Sequence, residues 1–220
     1  MREQVWAAFE RERAARFPGA RGRIPNFVGA ERAARRLAET EEWRAARVVK
    51  CNPDAPQLPV RRLALAEDKV VYMAVPRLRA EKPFLRLASD ATIKARGAHP
   101  LAVEELEPVD LVVCGTVAVN RKGVRVGKGG GYSDLEFGLL VEAGLVGEQT
   151  TIATTVHPLQ LLDEELPETE HDFRVDLVVT PEETLRVPEP RRPAGILWSH
   201  LSPEKIASIP ILASRAESGG

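Results

Sequence analysis

A short loop dense in glycine and positive charge governs what this chain can become. Residues 123–134 read Gly-Val-Arg-Val-Gly-Lys-Gly-Gly-Gly-Tyr-Ser-Asp, between an apolar strand-like run and an amphipathic helix-like one. Gly127, Gly129, Gly130 and Gly131 free the backbone to take positive φ and to approach a ligand closely. Arg125 adds a planar fork of donors and Lys128 a point charge. A glycine loop that feeds a helix N-terminus presents N–H donors whose dipole already favours an anion, so the segment is expected to cradle a di- or triphosphate. A carboxylate beside such a polyanion is repelled unless a hard cation lies between them. Asp134 is therefore expected to hold Mg²⁺, directly or through water, and helix N-capping is its other possible role.

Neither common nucleotide fingerprint fits. No Gly-Lys-Ser/Thr closes the loop, and Tyr132 stands where a dinucleotide-binding pattern needs a small residue. The competing reading is a plain tight turn.

The 220 residues, 44% of them hydrophobic, suffice for one large α/β domain, and a net charge of −1 gives no general field to attract nucleic acid. The longest weakly polar run, residues 111–119, is far below the roughly 20 residues that span a bilayer. The charged N-terminus has no apolar signal core, so a soluble, cytoplasmic protein is expected, as monomer or homodimer. Cys51 and Cys114, each beside valines, suggest buried strand thiols.

Helical signals come first, over residues 3–16, 29–39 and 40–47, followed by a short strand over 47–51 and a turn at Asn52-Pro53-Asp54-Ala55-Pro56. Strands are expected over 62–66, 69–75, 109–119, 151–156 and 175–180, with helical segments near 91–95 and 134–143. Such alternation favours a mostly parallel, Rossmann-like sheet with helices on both faces, in a single three-layer domain of residues 1–220. Ligands of such sheets collect at the carboxyl ends of the strands, where the glycine loop would lie. Residues 181–220 read as a proline-rich extension packing on the surface, with 195–198 as one packed strand.

His157 follows a strand end, where functional loops emerge, although a lone histidine is more often a hydrogen-bonded structural residue. His171 and Asp172 suggest either an acid–base pair or a turn, and Arg77 and Arg79 either an anion contact or solvated surface. The basic runs at 11–16 and 32–36 are interleaved with Glu, as on solvated helix faces, so nucleic-acid binding is a minor possibility.

Taken together, residues 117–134, the Leu166-Pro167 and His171-Asp172 pairs, Asp176-Leu177-Val178-Val179-Thr180 and Pro76-Arg77 resemble the signature of the 5-formyltetrahydrofolate cyclo-ligase family. Arg23-Ile24-Pro25-Asn26-Phe27, Asp134-Leu135-Glu136 and Thr155-Val156-His157 resemble its divergent methenyltetrahydrofolate synthetase domain-containing branch. The resemblance implies a NagB/RpiA/CoA transferase-like architecture and an ATP- and Mg²⁺-dependent ligase of one-carbon metabolism, with a reduced folate as substrate. It implies that Arg125, Gly127, Lys128, Gly129, Gly130, Gly131, Tyr132 and Asp134 bind the nucleotide, with Asp134 on the metal, Tyr132 at the reaction centre and Arg125 also catalytic.

This chain departs from that pattern in places. On the first helix, Arg2 and Trp6 stand nearest to the family's two cations, with Arg11 and Arg13 as substitutes. The stretch from Val48 to Asp54 shows no match for the glutamate that reads the pterin, and Ser133 and Leu135 replace a second tyrosine and a basic residue. Two other functions stay open: a related ATP-dependent enzyme with a different substrate, and a non-catalytic nucleotide- or RNA-binding relative.

Overall fold

A computed structural model describes residues 1–88, 98–188 and 191–218. The chain opens with α1 (Arg2–Arg11), α2 (Ala30–Ala38), α3 (Glu41–Ala45) and β1 (Val48–Cys51), then α4 (Leu58–Ala66) leads to β2 (Val70–Ala74). Strands β3 (Phe84–Arg86), β4 (His99–Leu101), β5 (Leu111–Cys114), β6 (Ala118–Asn120) and β7 (Arg125–Val126) precede α5 (Tyr132–Glu142). The remainder is β8 (Thr151–Thr155), β9 (Leu161–Leu162), β10 (Leu177–Val179), β11 (Thr184–Arg186), α6 (Pro203–Ala207) and α7 (Pro210–Ser218).

Among the described residues eight strands form one sheet, in the order β11-β10-β8-β5-β1-β2-β3-β4. The five central strands run parallel, and antiparallel partners close both edges. Its side chains alternate between two cores. Val48, Tyr72, Val112 and Cys114 pack with α5 and α7, whereas Val49, Cys51, Val71, Met73 and Val113 pack with α2, α3 and α4. That alternation is the period of two of a pleated strand. It makes three layers, with helices on both faces as expected. A second small sheet, β7-β6-β9, shares a third core with α1.

Burial pushes the Cys51 thiol up to about 11 and the Cys114 thiol upward as well, so both are inert strand residues. Among the described residues no helix is long and apolar enough to cross a membrane.

Four local expectations are corrected. Residues 62–66 are not a strand but the end of α4, whose Val60, Arg61 and Ala64 are buried at helical spacing and whose proline sits in the first turn. A proline there needs no N–H, and a short apolar run cannot by itself distinguish helix from strand. The long strand expected at 109–119 is two strands in different sheets. It breaks at Gly115, where a Cβ would lie 2.6 Å from an Asp54 carboxylate oxygen. The first helix ends at Arg11 rather than 16, because Arg13 turns left-handed (φ 52°) and Ala15 then bridges to Phe27. Residues 195–198 are not a strand.

The prolines of the C-terminal segment start helices there: Pro203 opens α6, where Ser202 accepts a hydrogen bond from the Lys205 N–H at 3.2 Å, and Pro210 opens α7. Ile209 and Leu212 of this segment are buried in the α5-side core. The helix expected near 91–95 lies outside the described residues.

The C-terminal segment crosses α5 at Gly138, where a Cβ would meet Ile196 Cγ1 at 2.9 Å and the Gly195–Ile196 backbone at 3.2 Å. Helix propensity alone favours alanine there by about 1 kcal/mol. Backbone on the other side cannot yield as a side-chain tip would, so Gly138→Ala is expected to lower stability by about 1–3 kcal/mol. Urea unfolding measures it; a stabilised variant would show that the segment does not press on α5.

Candidate active site

The glycine loop is closed at its base by charge. Arg125 on β7 forms an ion pair with Asp134 in the first turn of α5, and its guanidinium lies 3.9 Å from the centre of the Phe173 ring. Both side chains are largely buried, at 3% and 13% exposed, so water screens the pair little. Burial works against the Arg125 charge, but Asp134 holds its pKa above the ordinary arginine value. For Asp134, burial pushes the carboxyl up against the pull of Arg125, and the Asp172 carboxylate adds to the rise. Breaking such a pair by removing one partner typically costs about 3–5 kcal/mol, because the survivor is left charged and dry.

Between these anchors the backbone is exposed and donor-rich. Gly129 and Gly131 take φ of 99° and 66°, and no side chain caps α5. Arg2 Nε donates to the Gly127 carbonyl at 2.6 Å, and Lys205 Nζ to the Gly130 carbonyl at 3.1 Å. Among the described residues, the N–H groups of Lys128, Gly129, Gly130 and Gly131 have no protein acceptor. Lys205 also lies 3.7 Å from the centre of the Tyr132 ring.

The loop walls a cavity of about 960 Å³ that also reaches Asn52, Asp54 and Gly115. Those three follow β1 and β5, the strands between which the chain order reverses, where α/β sheets place their ligands. Three Arg61 contacts hold the turn after β1, to the carbonyls of Asn52, of Asp54 at 3.2 Å and of Pro53 at 3.4 Å. Lys128 Nζ meets Asp54 Oδ1 at 3.0 Å, tying the glycine loop to this turn.

Glu136, which also lines the cavity, belongs to a second buried pair. Lys50 Nζ donates to Glu136 and, at 2.7 Å, to Asn52 Oδ1, while Asn52 Nδ2 donates to Ser133 Oγ at 2.9 Å.

All eight residues expected at the site line this one cavity: Arg125, Gly127, Lys128, Gly129, Gly130, Gly131, Tyr132 and Asp134. Arg2, Arg77, His171 and Asp172 join them, but Arg11, Arg13 and Arg79 do not. His171 and Asp172 share a turn in which both contact Thr169 Oγ1, at 3.0 and 2.8 Å. His157 stands apart. It accepts the Leu159 N–H at 3.2 Å and packs on Phe9 and Phe27, which is a structural role.

Sequence reasoning passed over Lys50, Asn52, Asp54 and Glu136 as site residues. For Lys50 and Glu136 the signal was a charge inside an apolar run, Val-Val-Lys-Cys and Leu-Glu-Phe.

Among the described residues no three His, Cys, Asp or Glu side chains converge to hold a metal ion. Mg²⁺ ordinarily takes one or two carboxylates and fills its shell with water and phosphate oxygens. Asp134 beside a donor-rich loop suits that arrangement.

Residues 5–181 match the sequence profile of the 5-formyltetrahydrofolate cyclo-ligase family. The chain belongs to that family. Its cyclo-ligase fold is similar to the solution structure of Aquifex aeolicus 5,10-methenyltetrahydrofolate synthetase, with a TM-score of 0.57, 20% identity, and 91% of this chain and 97% of that one covered. It is 38% identical to the Bos taurus methenyltetrahydrofolate synthase domain-containing protein over 97% of this chain and 60% of the relative. The Homo sapiens protein of that name is 37% identical, with the same coverage of 97% and 60%. The chain thus spans about three fifths of the length of the curated relatives it matches. Lys205, which touches the glycine loop, comes from beyond the part that the cyclo-ligase profile covers.

Desolvation holds the His157 pKa below the ordinary 6.5. The unfolded chain therefore takes up the proton first, so this residue's contribution to stability is complete above pH 6.5 and falls as pH drops through the window just below it. Asn can still accept the capping N–H but does not titrate there. The stability gap between wild type and His157→Asn is expected to be larger at pH 7.5 than at pH 5.5 in urea unfolding; an equal gap would remove the histidine from the pH response.

Proposed function

We propose that this chain converts 5-formyltetrahydrofolate to 5,10-methenyltetrahydrofolate at the expense of Mg-ATP. The observation that carries the reading is the set of unpaired amides from Lys128 to Gly131, flanked by Arg2, Arg125 and Lys128, lining a cavity on the strand-switch point. Family membership supports the same reading.

In this scheme the formyl oxygen attacks the γ-phosphorus of ATP, and the bond to ADP breaks. The other folate nitrogen then attacks the formyl carbon, the carbon–oxygen bond breaks, and phosphate leaves as that nitrogen gives its proton to solvent. Little covalent work falls to the protein, whose part is positioning and charge stabilisation. The glycine-loop amides, Arg2 and Lys128 hold the phosphate oxygens. Arg125 fixes the loop and adds positive charge behind it. Mg²⁺, carried with the nucleotide and held by Asp134 directly or through water, would neutralise charge on the β- and γ-oxygens. Tyr132, its ring steadied by Lys205, faces the reacting centre.

A second reading has one observation in its favour. The turn after β1 carries Asn52, Pro53 and Asp54 and no glutamate, which suits a related ATP-dependent enzyme with a different substrate.

Near-ultraviolet absorbance decides between them. Purified protein with 5-formyltetrahydrofolate and Mg-ATP is expected to produce the methenyl chromophore; ATP binding without product would favour the second reading. By calorimetry, Lys128→Ala and Arg2→Ala are each expected to weaken Mg-ATP binding about tenfold, the loss of one charge-assisted hydrogen bond of about 1.4 kcal/mol. Asp134→Ala is expected to raise the Mg²⁺ concentration needed for half-maximal rate. Unchanged titrations in all three would return the loop to a simple turn.

A further inference from the structure

The cavity carries charge of both signs. At its loop end stand Arg2 and Lys128 with the unpaired amides, a surface for anions. Asp54, Asp134, Asp172 and Glu136 line it as well. Asp134 is paired with Arg125, Asp54 with Lys128, and Asp172 accepts a hydrogen bond from Thr169, whereas Glu136 keeps an oxygen that repels phosphate and must face something else.

Glu136 is only 4% exposed and still lines the cavity. One of its oxygens, Oε2, takes the Lys50 ammonium. Oε1 has no protein donor among the described residues, and it is absent from the buried polar atoms left without a partner, so it meets the cavity space. Lys50 is itself 2% exposed, on a strand whose other residues are Val, Val and Cys. Its even position in β1 points it, like Val48, to the α5 face. Burying an ammonium in the middle of a parallel sheet is unfavourable unless it is fully paired, and a well-packed apolar residue there would ordinarily be at least as stable. Lys50 donates to Glu136 and to Asn52, and Asn52 in turn donates to Ser133. Lys50 thereby holds Glu136 in one orientation and leaves its second oxygen, Oε1, as a free acceptor.

We propose that Glu136 is the substrate-selecting residue of this chain and that Lys50 is its positioning residue: Glu136 Oε1 accepts N–H donors from the edge of the substrate heterocycle. This rests on the cyclo-ligase reading and deepens it, because a reduced pteridine carries a ring N–H and an exocyclic amino group side by side, a donor pair suited to a carboxylate. A site built around a buried acceptor discriminates strongly, since a ligand without the donor leaves the charge unpaired.

The test compares wild type, Glu136→Gln and the double variant Lys50→Met with Glu136→Gln, in which no lone charge remains in the core. Rates give KM for 5-formyltetrahydrofolate and for ATP, calorimetry gives the Mg-ATP affinity, and circular dichroism follows folding. Both variants are expected to raise the folate KM at least about tenfold and to leave the Mg-ATP affinity within about twofold. If Glu136→Gln alone fails to fold, the double variant decides. Lys50→Arg, which keeps the charge, is expected to retain folate selectivity better than Lys50→Met. A folate KM unchanged in the folded variants, or equal losses for both substrates, would overturn the proposal while the cyclo-ligase reading stands. A wild-type protein that binds Mg-ATP but neither binds nor converts 5-formyltetrahydrofolate would overturn both.

Discussion

The Arg125–Asp134 pair is the hinge on which the site depends. It joins the strand before the glycine loop to the helix after it, so the flexible residues between are held at both ends. The Phe173 ring beneath the guanidinium excludes water from the pair and fixes its plane. A loop rich in glycine loses more conformational freedom on ordering than any other, and a buried ionic anchor offsets part of that loss. The same anchor brings α5 to the cavity with its first-turn donors uncapped.

Sheet order determines where that loop can act. The turns after β1 and β5 diverge at the reversal of strand order, and Gly115 keeps them close by offering no side chain to Asp54. Lys128 then reaches Asp54 across the gap, and Lys50 reaches Glu136 through the sheet's α5 face. Two ion pairs therefore link the central strand to α5 and its turn to the glycine loop. Arg2, from the N-terminal helix, and Lys205, from the C-terminal segment, complete the cluster from opposite ends of the chain.

Much of this was legible in the residues themselves. Strands β1, β2, β8 and β10 are carried by β-branched runs, α2 by its apolar face and α3 by its Thr40 start, so each lies close to its expected bounds. Helix α5 also lies close to them, but it buries six residues in succession from Leu135 to Leu140 and is not the amphipathic helix its sequence suggests. The elements that differ have shared causes. In α4 and the C-terminal segment, proline starts helices where it reads as a break, and at Gly115 a long apolar run is cut by a tertiary contact invisible in sequence. Glu136 and Lys50 each look like an isolated charge in an apolar run until the sheet brings them together.

Residue types in their order were enough for the make-up of the glycine loop, the alternation that makes a parallel sheet with two covered faces, and the family to which the chain belongs. Glycine, arginine, lysine and aspartate at those positions carry their conformational freedom and charge wherever the chain goes. Tertiary structure alone decided which charges meet: Arg125 with Asp134, Lys128 with Asp54, Lys50 with Glu136, and Arg2 with the carbonyl of Gly127. Three of these four contacts join residues more than seventy positions apart. Such pairs form only after strand order and register have placed their elements side by side, because Coulomb attraction in water is too weak over such distances to select them beforehand.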